Sequence, residues 1–516
     1  MDKSHPKTTE RTKPAVQKAS GATMFYFGTG AVAVGVKNII FASFVLLYYN
    51  QVLGMDPFLA SSALALALVM DAISDPLVGA WSDRVKSRLG RRHPFMYASI
   101  LPFSLSIYFI LQPPADVAPD DLFGYLLLMS MAVRLSMTFY EVPRQALGPE
   151  LTKDYEQRTS LVGIATAFGW LGGAGMVACI YAFFFPETGD YTGSKALLNP
   201  DGYESMALAA AIVVFVSCVF STVGLQGKID HLYVPPETGR FDFREFLSEA
   251  RETLANRSWV VIFLAGIVFA LFLGLQSGTD QYYNVYFWQW VPSQLTAIPI
   301  VQGMSVIAAA LLTSRLALGR DKKRLAVGLF STTIVLGPLP LALRLLSNST
   351  GILFFPPNGT DLLWWILLVH GSFMGAIGVA GFILIGSMVA DIVEQSQEAT
   401  GRRSEGLLSA GPALVQKTMS AGGVWITGIL LSTFGFDVVE PTVESMREPM
   451  QRLALFHLGL GVSFPLLSTW LVTKYTITRE SHFERLETLG YADGPDASGG
   501  PGAPDASETH GKSRED

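Results

Sequence analysis

Charge is scarce in this sequence. Of 516 residues, only 16% are Asp, Glu, Lys or Arg, against about 25% in an ordinary soluble domain. A soluble chain of this length divides into two or three domains and carries many more surface charges. A soluble enzyme and a nucleic-acid binder are therefore both excluded. Cysteine is nearly absent: Cys179 and Cys218 each lie inside an apolar run, with no disulfide or metal spacing. Both are expected to be small core hydrophobes. No phosphate-cradling P-loop occurs, so ATP does not drive the protein directly. No nucleophile–base or metal constellation is visible either, so neither an enzyme nor a cofactor is expected. The basic N-terminus lacks the apolar stretch of a cleavable signal peptide.

Hydrophobicity is what the sequence has in quantity: half of the residues are apolar, and the mean hydropathy is +0.36. A bilayer core takes about 20 mostly apolar residues per helix. Runs of that kind fall at 24–50, 57–82, 95–113, 121–146, 160–185, 206–227, 259–288, 294–314, 325–343, 361–390, 406–436 and 453–474. They predict an all-α membrane protein of twelve transmembrane helices. Lys and Arg concentrate in the turn after span 2 (Arg84, Lys86, Arg88, Arg91, Arg92) and the turn after span 8 (Arg315, Arg320, Lys322, Lys323, Arg324). By the positive-inside rule these turns are cytoplasmic, and an even span count puts both termini inside as well.

The basic turns, WSDRVKSRLGRR (81–92) and SRLALGRDKKR (314–324), follow the second span of each half. That matched offset points to a duplicated transporter of two six-helix bundles. The expected organisation is a disordered basic N-terminus over 1–22, one bundle over 23–227, a cytoplasmic linker over 228–257, a second bundle over 258–478 and a disordered tail over 479–516. The linker's FDFREFLSEARETL stretch (241–254) has helical spacing suited to a membrane surface.

The informative residues are charges inside the spans. Asp71 and Asp75 lie four apart in span 2 and share one helix face. Placing both in the membrane costs about 5–7 kcal/mol on the translocon scale, more than the span's apolar residues return. The pair must face an internal cavity, where one Na⁺ or one proton relieves the repulsion between the carboxylates. Pro76 follows directly and frees a backbone carbonyl; Ser74 and Thr138 are plausible further oxygen ligands. Lys37, Arg134, Glu141, Asp280, His370, Asp391 and Lys417 are the other ionisable groups within spans. Arg134 and Glu141, seven apart, share a face. Lys37 and Lys417 lie too deep to reach the interface and are expected in the site. Asp391, at the cytoplasmic end of span 10, suits a structural or gating role. Tyr282, Tyr283, Tyr286, Phe287, Trp288 and Trp290 form either an interfacial belt or a substrate-stacking wall; the belt is favoured for the two tryptophans.

Three stretches carry a family resemblance: DAISDPLVGAWSDRVKSRLGRRHPF (71–95), YEVPRQALGPELTKDYEQRTSL (140–161) and VADIVEQSQEATGRRSEGLLSAGPALVQK (389–417). In that order they resemble the glycoside–pentoside–hexuronide:cation symporters of the major facilitator superfamily. The resemblance spans both halves. It implies the major facilitator fold, with Asp71 and Asp75 as the carboxylates that bind Na⁺, Li⁺ or H⁺ and Ser74 and Thr138 beside them. Substrate contacts are implied at Glu141, Phe382 and Lys417, with Lys37 a turn from the family's helix-1 position. The cytoplasmic motif is implied at Asp83, Arg84, Gly90, Arg91 and Arg92, and at Arg402 and Arg403. The family's helix-5 arginine falls at Thr166 and its helix-4 tryptophan at Gln145, so the sugar half of the site is altered.

The expected function is cation-coupled symport of a sugar or glycoside-like solute by alternating access. A lysolipid or other amphipathic solute on the same fold is the alternative. The expected protein is a monomer in the plasma (inner) membrane, with no partner beyond the solute, the cation and the bilayer.

Overall fold

The computed structural model describes residues 19–85, 87–114, 117–118, 121–152, 155–228, 257–317, 320–352, 354–400, 405–438 and 441–476. Within these, side chains are described except at 155–156, 159, 314, 390, 393–400 and 405–418. The 228–257 linker apart from its end residues, the tail beyond 476, and Arg402 and Arg403 lie outside the described residues.

Among the described residues twelve helices carry the fold: α1 (Gly21–Val52), α2 (Pro57–Arg84), α3 (His93–Ile110), α4 (Leu122–Leu151), α5 (Tyr155–Cys179), α6 (Pro200–Gln226), α7 (Arg257–Phe287), α8 (Pro292–Ala317), α9 (Lys322–Thr350), α10 (Asp361–Thr400), α11 (Glu405–Phe434) and α12 (Arg447–Thr473). Eleven of them are long and apolar enough to cross a membrane, and Met419–Phe434 of α11 is a shorter apolar stretch. Local signals set several boundaries. Ser20 caps α1 through the Thr23 amide, so this helix begins inside the stretch expected to be disordered. Asp56 caps α2 ahead of Pro57, and Asn199 caps α6 ahead of Pro200. Helix α9 breaks at Gly337–Pro338. There His370 of α10 reaches the Leu336 carbonyl at 2.8 Å, partnering an acceptor beside the break.

The packing repeats. In the first six helices α1 packs on α5 and α6, α2 on α4, and α3 on α4 and α6. In the second six, α7 packs on α11 and α12, α8 on α10, and α9 on α10 and α12. Adding six to each helix number converts one set into the other. The halves meet through α2 against α11 and α5 against α8, which the same operation also exchanges. Two bundles related in this way are parallel repeats of one another.

At the end away from the basic turns the halves are tied together. Helices α1 and α7 both finish in a π turn, Tyr48–Val52 and Tyr283–Phe287. The Asn50 amide donates to the Phe436 carbonyl at 3.1 Å, and Gln51 donates to the same oxygen at 3.0 Å. The Tyr282 hydroxyl donates to Asn50 at 2.8 Å, and Gln281 donates to the Tyr181 hydroxyl at 2.7 Å. Tyr282 is fully buried, Trp290 is 3% exposed and Tyr283 8%. These three rings are therefore core residues rather than a belt or a substrate wall. Cys218 is buried as expected, but Cys179 lies on the accessible surface.

Candidate cation and substrate site

Helices α2 and α4 run in the same direction, and four side chains meet between them in register. Arg134 Nη1 donates to Asp71 Oδ2 at 2.6 Å. One turn further along both helices, the Thr138 hydroxyl donates to Asp75 Oδ1 at 2.8 Å. Ser74 Oγ lies 3.4 Å from Thr138 Oγ1. Asp71 and Arg134 are 2% and 4% exposed, so their pair is removed from water on both sides. Pro76, inside α2, leaves the Ala72 carbonyl without its helical donor in the turn that carries Asp75. Asp71 Oδ1 is buried and has no hydrogen-bond partner among the described residues. With the oxygens of Asp75, Ser74 and Thr138 beside it, it forms a set of hard donors of the kind a small cation takes.

Lys37 of α1 is 3% exposed, and its ammonium lies 5.6 Å from the centre of the Phe41 ring. The Arg134 guanidinium lies 5.1 Å from the same ring. Two cations and two carboxylates thus converge on one region. Cations this deep are tolerated only with compensating negative charge.

Glu141 does not pair with Arg134, although the two share a face of α4. Its carboxylate is held by Arg144 on its own helix, at 3.0 Å from Nε and 2.8 Å from Nη2. Arg144 also donates to the Phe27 carbonyl at 2.9 Å and lies over the Phe27 ring. Gln145, at the position where the family's tryptophan is expected, donates to Glu141 at 2.7 Å. Phe382 of α10 is 46% exposed and packs edge-on against Phe269 of α7, 5.1 Å between centres. Lys417 lies on α11 by its backbone; its side chain is outside the described residues. Asp280 sits on α7 with its side chain accessible.

The basic turn between α2 and α3 is anchored on a residue that the sequence reading left without a role, Glu150 at the end of α4. Arg91 reaches it at 3.0 Å and Arg92 at 3.4 Å. Arg92 is also paired with Asp83 and donates to Ser82 Oγ at 2.6 Å. Gly90 takes φ +76° in this turn, a conformation costly for a residue with a Cβ. Arg84, in the last turn of α2, is exposed. In the second half Lys322, the first residue of α9, pairs with Asp391 of α10 at 2.7 Å.

Arg134 as the partner of Asp71, Glu150 and the buried amides Asn50 and Gln51 were not identified as functional in the sequence. A signal for the amides existed: Tyr-Tyr-Asn occurs at 48–50 and again at 282–284, where the two π turns lie.

Comparison with known proteins gives the family. The family model described as MFS/sugar transport protein matches residues 26–479. An uncharacterized symporter of Synechocystis sp. is 24% identical, over 92% of this chain and 97% of its own. The isoprimeverose transporter of Lactiplantibacillus pentosus is 22% identical, over 82% of this chain and 84% of its own. Among solved structures, the xylose transporter XylE from E. coli in an inward-open conformation aligns at 14% identity with a TM-score of 0.55, covering 90% of this chain and 98% of that one.

Proposed function

The chain belongs to the MFS/sugar transport family, as a glycoside–pentoside–hexuronide type symporter and a multi-pass integral membrane protein, and from that premise we propose that it carries a sugar or glycoside-like solute in symport with Na⁺ or H⁺. The observation that carries this reading is the register of Asp71 and Asp75 against Arg134 and Thr138, with Asp71, Arg134 and Thr138 buried. Two carboxylates one turn apart on a helix repel each other, and a cation bound at the pair relieves that repulsion. Cation entry lowers the negative charge at the centre and favours solute binding between α1, α4, α10 and α11, with Glu141, Phe382, Lys37 and Lys417 as solute contacts. The loaded halves then rock about that site. Coupling is reciprocal, so the solute tightens cation binding by the same factor.

In this reading the basic turns face the cytoplasm, both termini lie inside, and the protein works as a monomer in the plasma (inner) membrane. Asp83, Arg84, Gly90, Arg91 and Arg92 form the cytoplasmic motif that gates one state. Cysteines placed at positions 88 and 322 should label from the cytoplasmic side only.

The deciding experiment is uptake into proteoliposomes of a panel of glycosides, pentosides, hexuronates and lysolipids, under separately imposed Na⁺ and pH gradients. Gradient-driven accumulation of a glycoside that Asp75→Asn abolishes is the expected result. Accumulation of a lysolipid alone would move the substrate to the amphipathic alternative. Normal accumulation by both aspartate variants would end the symport reading.

A further inference from the structure

The coupling site already contains a cation. Arg134 is always charged at accessible pH and holds one oxygen of Asp71 at 2.6 Å, with both side chains almost wholly buried. Lys37 is a second positive group near the same Phe41 ring. A mobile cation approaching Asp71 meets a carboxylate already paired with a fixed positive charge, in surroundings where like charges repel far more than in water. Yet Asp71 keeps a second oxygen, Oδ1, that is buried and unpartnered among the described residues. The carboxylate is therefore half engaged by Arg134 and half available.

We propose that Arg134 is a tethered competitor of the coupling cation: it holds Asp71 while the mobile ion is absent, gives way when that ion binds, and so sets how tightly the site takes Na⁺. The inference rests on the reading of Asp71 and Asp75 as the cation site. It adds the residue that tunes the site, and a direct route from cation to solute. Arg134 and Thr138 sit on α4 one turn apart, and Glu141 lies on the next turns of the same helix. Release of Arg134 from Asp71 thus acts on the helix that carries the proposed solute contact. The other elements facing the pair are α1, through Lys37 and Phe41, and α2 itself. Lys37 adds to the positive field, and Arg134 is bonded directly to the Asp71 carboxylate.

The competition makes a signed prediction. A residue that merely fills space at position 134 would, on replacement, loosen the site and weaken cation binding. Removing a competitor strengthens it. The experiment is equilibrium binding of radiolabelled Na⁺ to the purified full-length protein in detergent, with no solute present, for the wild type, Arg134→Gln, Arg134→Lys, Asp71→Asn and the double variant Arg134→Gln/Asp71→Asn. Arg134→Gln should bind Na⁺ about tenfold more tightly or better, the size of shift expected for loss of one close charge. Arg134→Lys, which keeps the charge, should stay near the wild type. Asp71→Asn should abolish the gain in the double variant. Sodium should also raise the melting temperature of Arg134→Gln more than that of the wild type, because Na⁺ then supplies the charge that Asp71 has lost.

Sodium binding that appears only in Arg134→Gln supports the proposal as fully as a tightening does. Unchanged or weaker Na⁺ binding by a folded Arg134→Gln overturns it, as does absence of Na⁺ binding in every variant. If Arg134→Gln does not fold, Arg134→Lys and Arg134→Met with excess Na⁺ during purification provide the same comparison; Met must gain Na⁺ affinity relative to Lys, and equal affinities overturn the proposal. The failure of the underlying site is separately visible: if Asp71→Asn and Asp75→Asn leave measurable Na⁺ binding unchanged, the cation site itself lies elsewhere.

Discussion

The two halves of the bundle share a packing diagram and differ in what the packing encloses. Both halves press their central helix against the fifth helix through glycine. A Cβ on Gly35 of α1 would collide with the Gly169 carbonyl oxygen of α5, and one on Gly274 of α7 with the Ser420 carbonyl oxygen of α11. Small residues at such crossings let backbones approach closely, the main source of helix association where lipid replaces water. Charge is not shared in this way. In the first half α1, α2 and α4 bury Lys37, Asp71, Arg134, Glu141 and Arg144. In the second, the α8 counterpart of α2 has Arg315 as its one charged residue, at its basic-turn end. The duplicated architecture is thus a requirement of the membrane, whereas the carboxylate pair of α2 has no counterpart in α8. The asymmetry teaches that packing geometry belongs to both halves and the intramembrane carboxylate pair to one.

That comparison can be broken at the packing level first. Gly35→Leu and Gly274→Leu should each prevent a folded transporter from accumulating, read as loss of the monodisperse peak on size exclusion. A half that tolerated leucine at its crossing would show that the shared diagram hides different contacts. The next largest effect concerns the ions. Asp75→Asn should abolish gradient-driven accumulation while exchange without a gradient survives. Gln302→Ala in the middle of α8 should leave accumulation near the wild-type level. A strong coupling defect in the α8 variant would distribute the ion chemistry over both halves.

The basic turns provide a graded contrast. Glu150 is 5% exposed and holds two arginines, one of them buried. Removing it in Glu150→Ala strands a buried charge and should cost about 3 kcal/mol. Asp391 pairs with a lysine whose side chain is 32% exposed, so Asp391→Ala should cost about 1 kcal/mol. Thermal unfolding of the two purified variants measures the difference; equal losses would remove the contrast. The smallest effect is expected at the tie between α1 and α7. Tyr282→Phe deletes one hydrogen bond to Asn50, worth about 1 kcal/mol. It should raise the labelling rate of a cysteine at position 62, on the α2–α11 contact at that end, several-fold, with a fall in melting temperature no larger than that of Asp391→Ala.

Much of the fold was legible because the bilayer imposes a strict rule: long apolar runs become helices, and their number follows from counting. Boundaries were less legible where polar residues continue a helix past the apolar run. Helix α6 starts at Pro200 under an Asn199 cap, ahead of the expected residue 206. Helix α10 runs to Thr400, beyond the expected 390. Asp71 and Asp75 stood out in the sequence for a thermodynamic reason, since a carboxylate pair inside a span has no inexpensive structural use. Arg134 also stood out, but its partner did not. On one helix face Glu141 is its near neighbour by spacing, and spacing alone cannot weigh that against a carboxylate on another helix.

Composition and periodicity by themselves determined that this chain crosses a membrane as helices, that it is built twice, and that span 2 carries a pair of carboxylates needing a counter-ion. Those properties are local, because each follows from residues within one or two turns of one another and from the cost of a charge in hydrocarbon. Only the tertiary structure decided which charge answers which. Asp71 goes to Arg134, Asp75 to Thr138, Glu141 to Arg144 and the basic turn to Glu150. The first two partnerships join residues 63 positions apart through the parallel register of α2 and α4, and that register is set by the packing of whole helices, a quantity no short stretch of sequence contains.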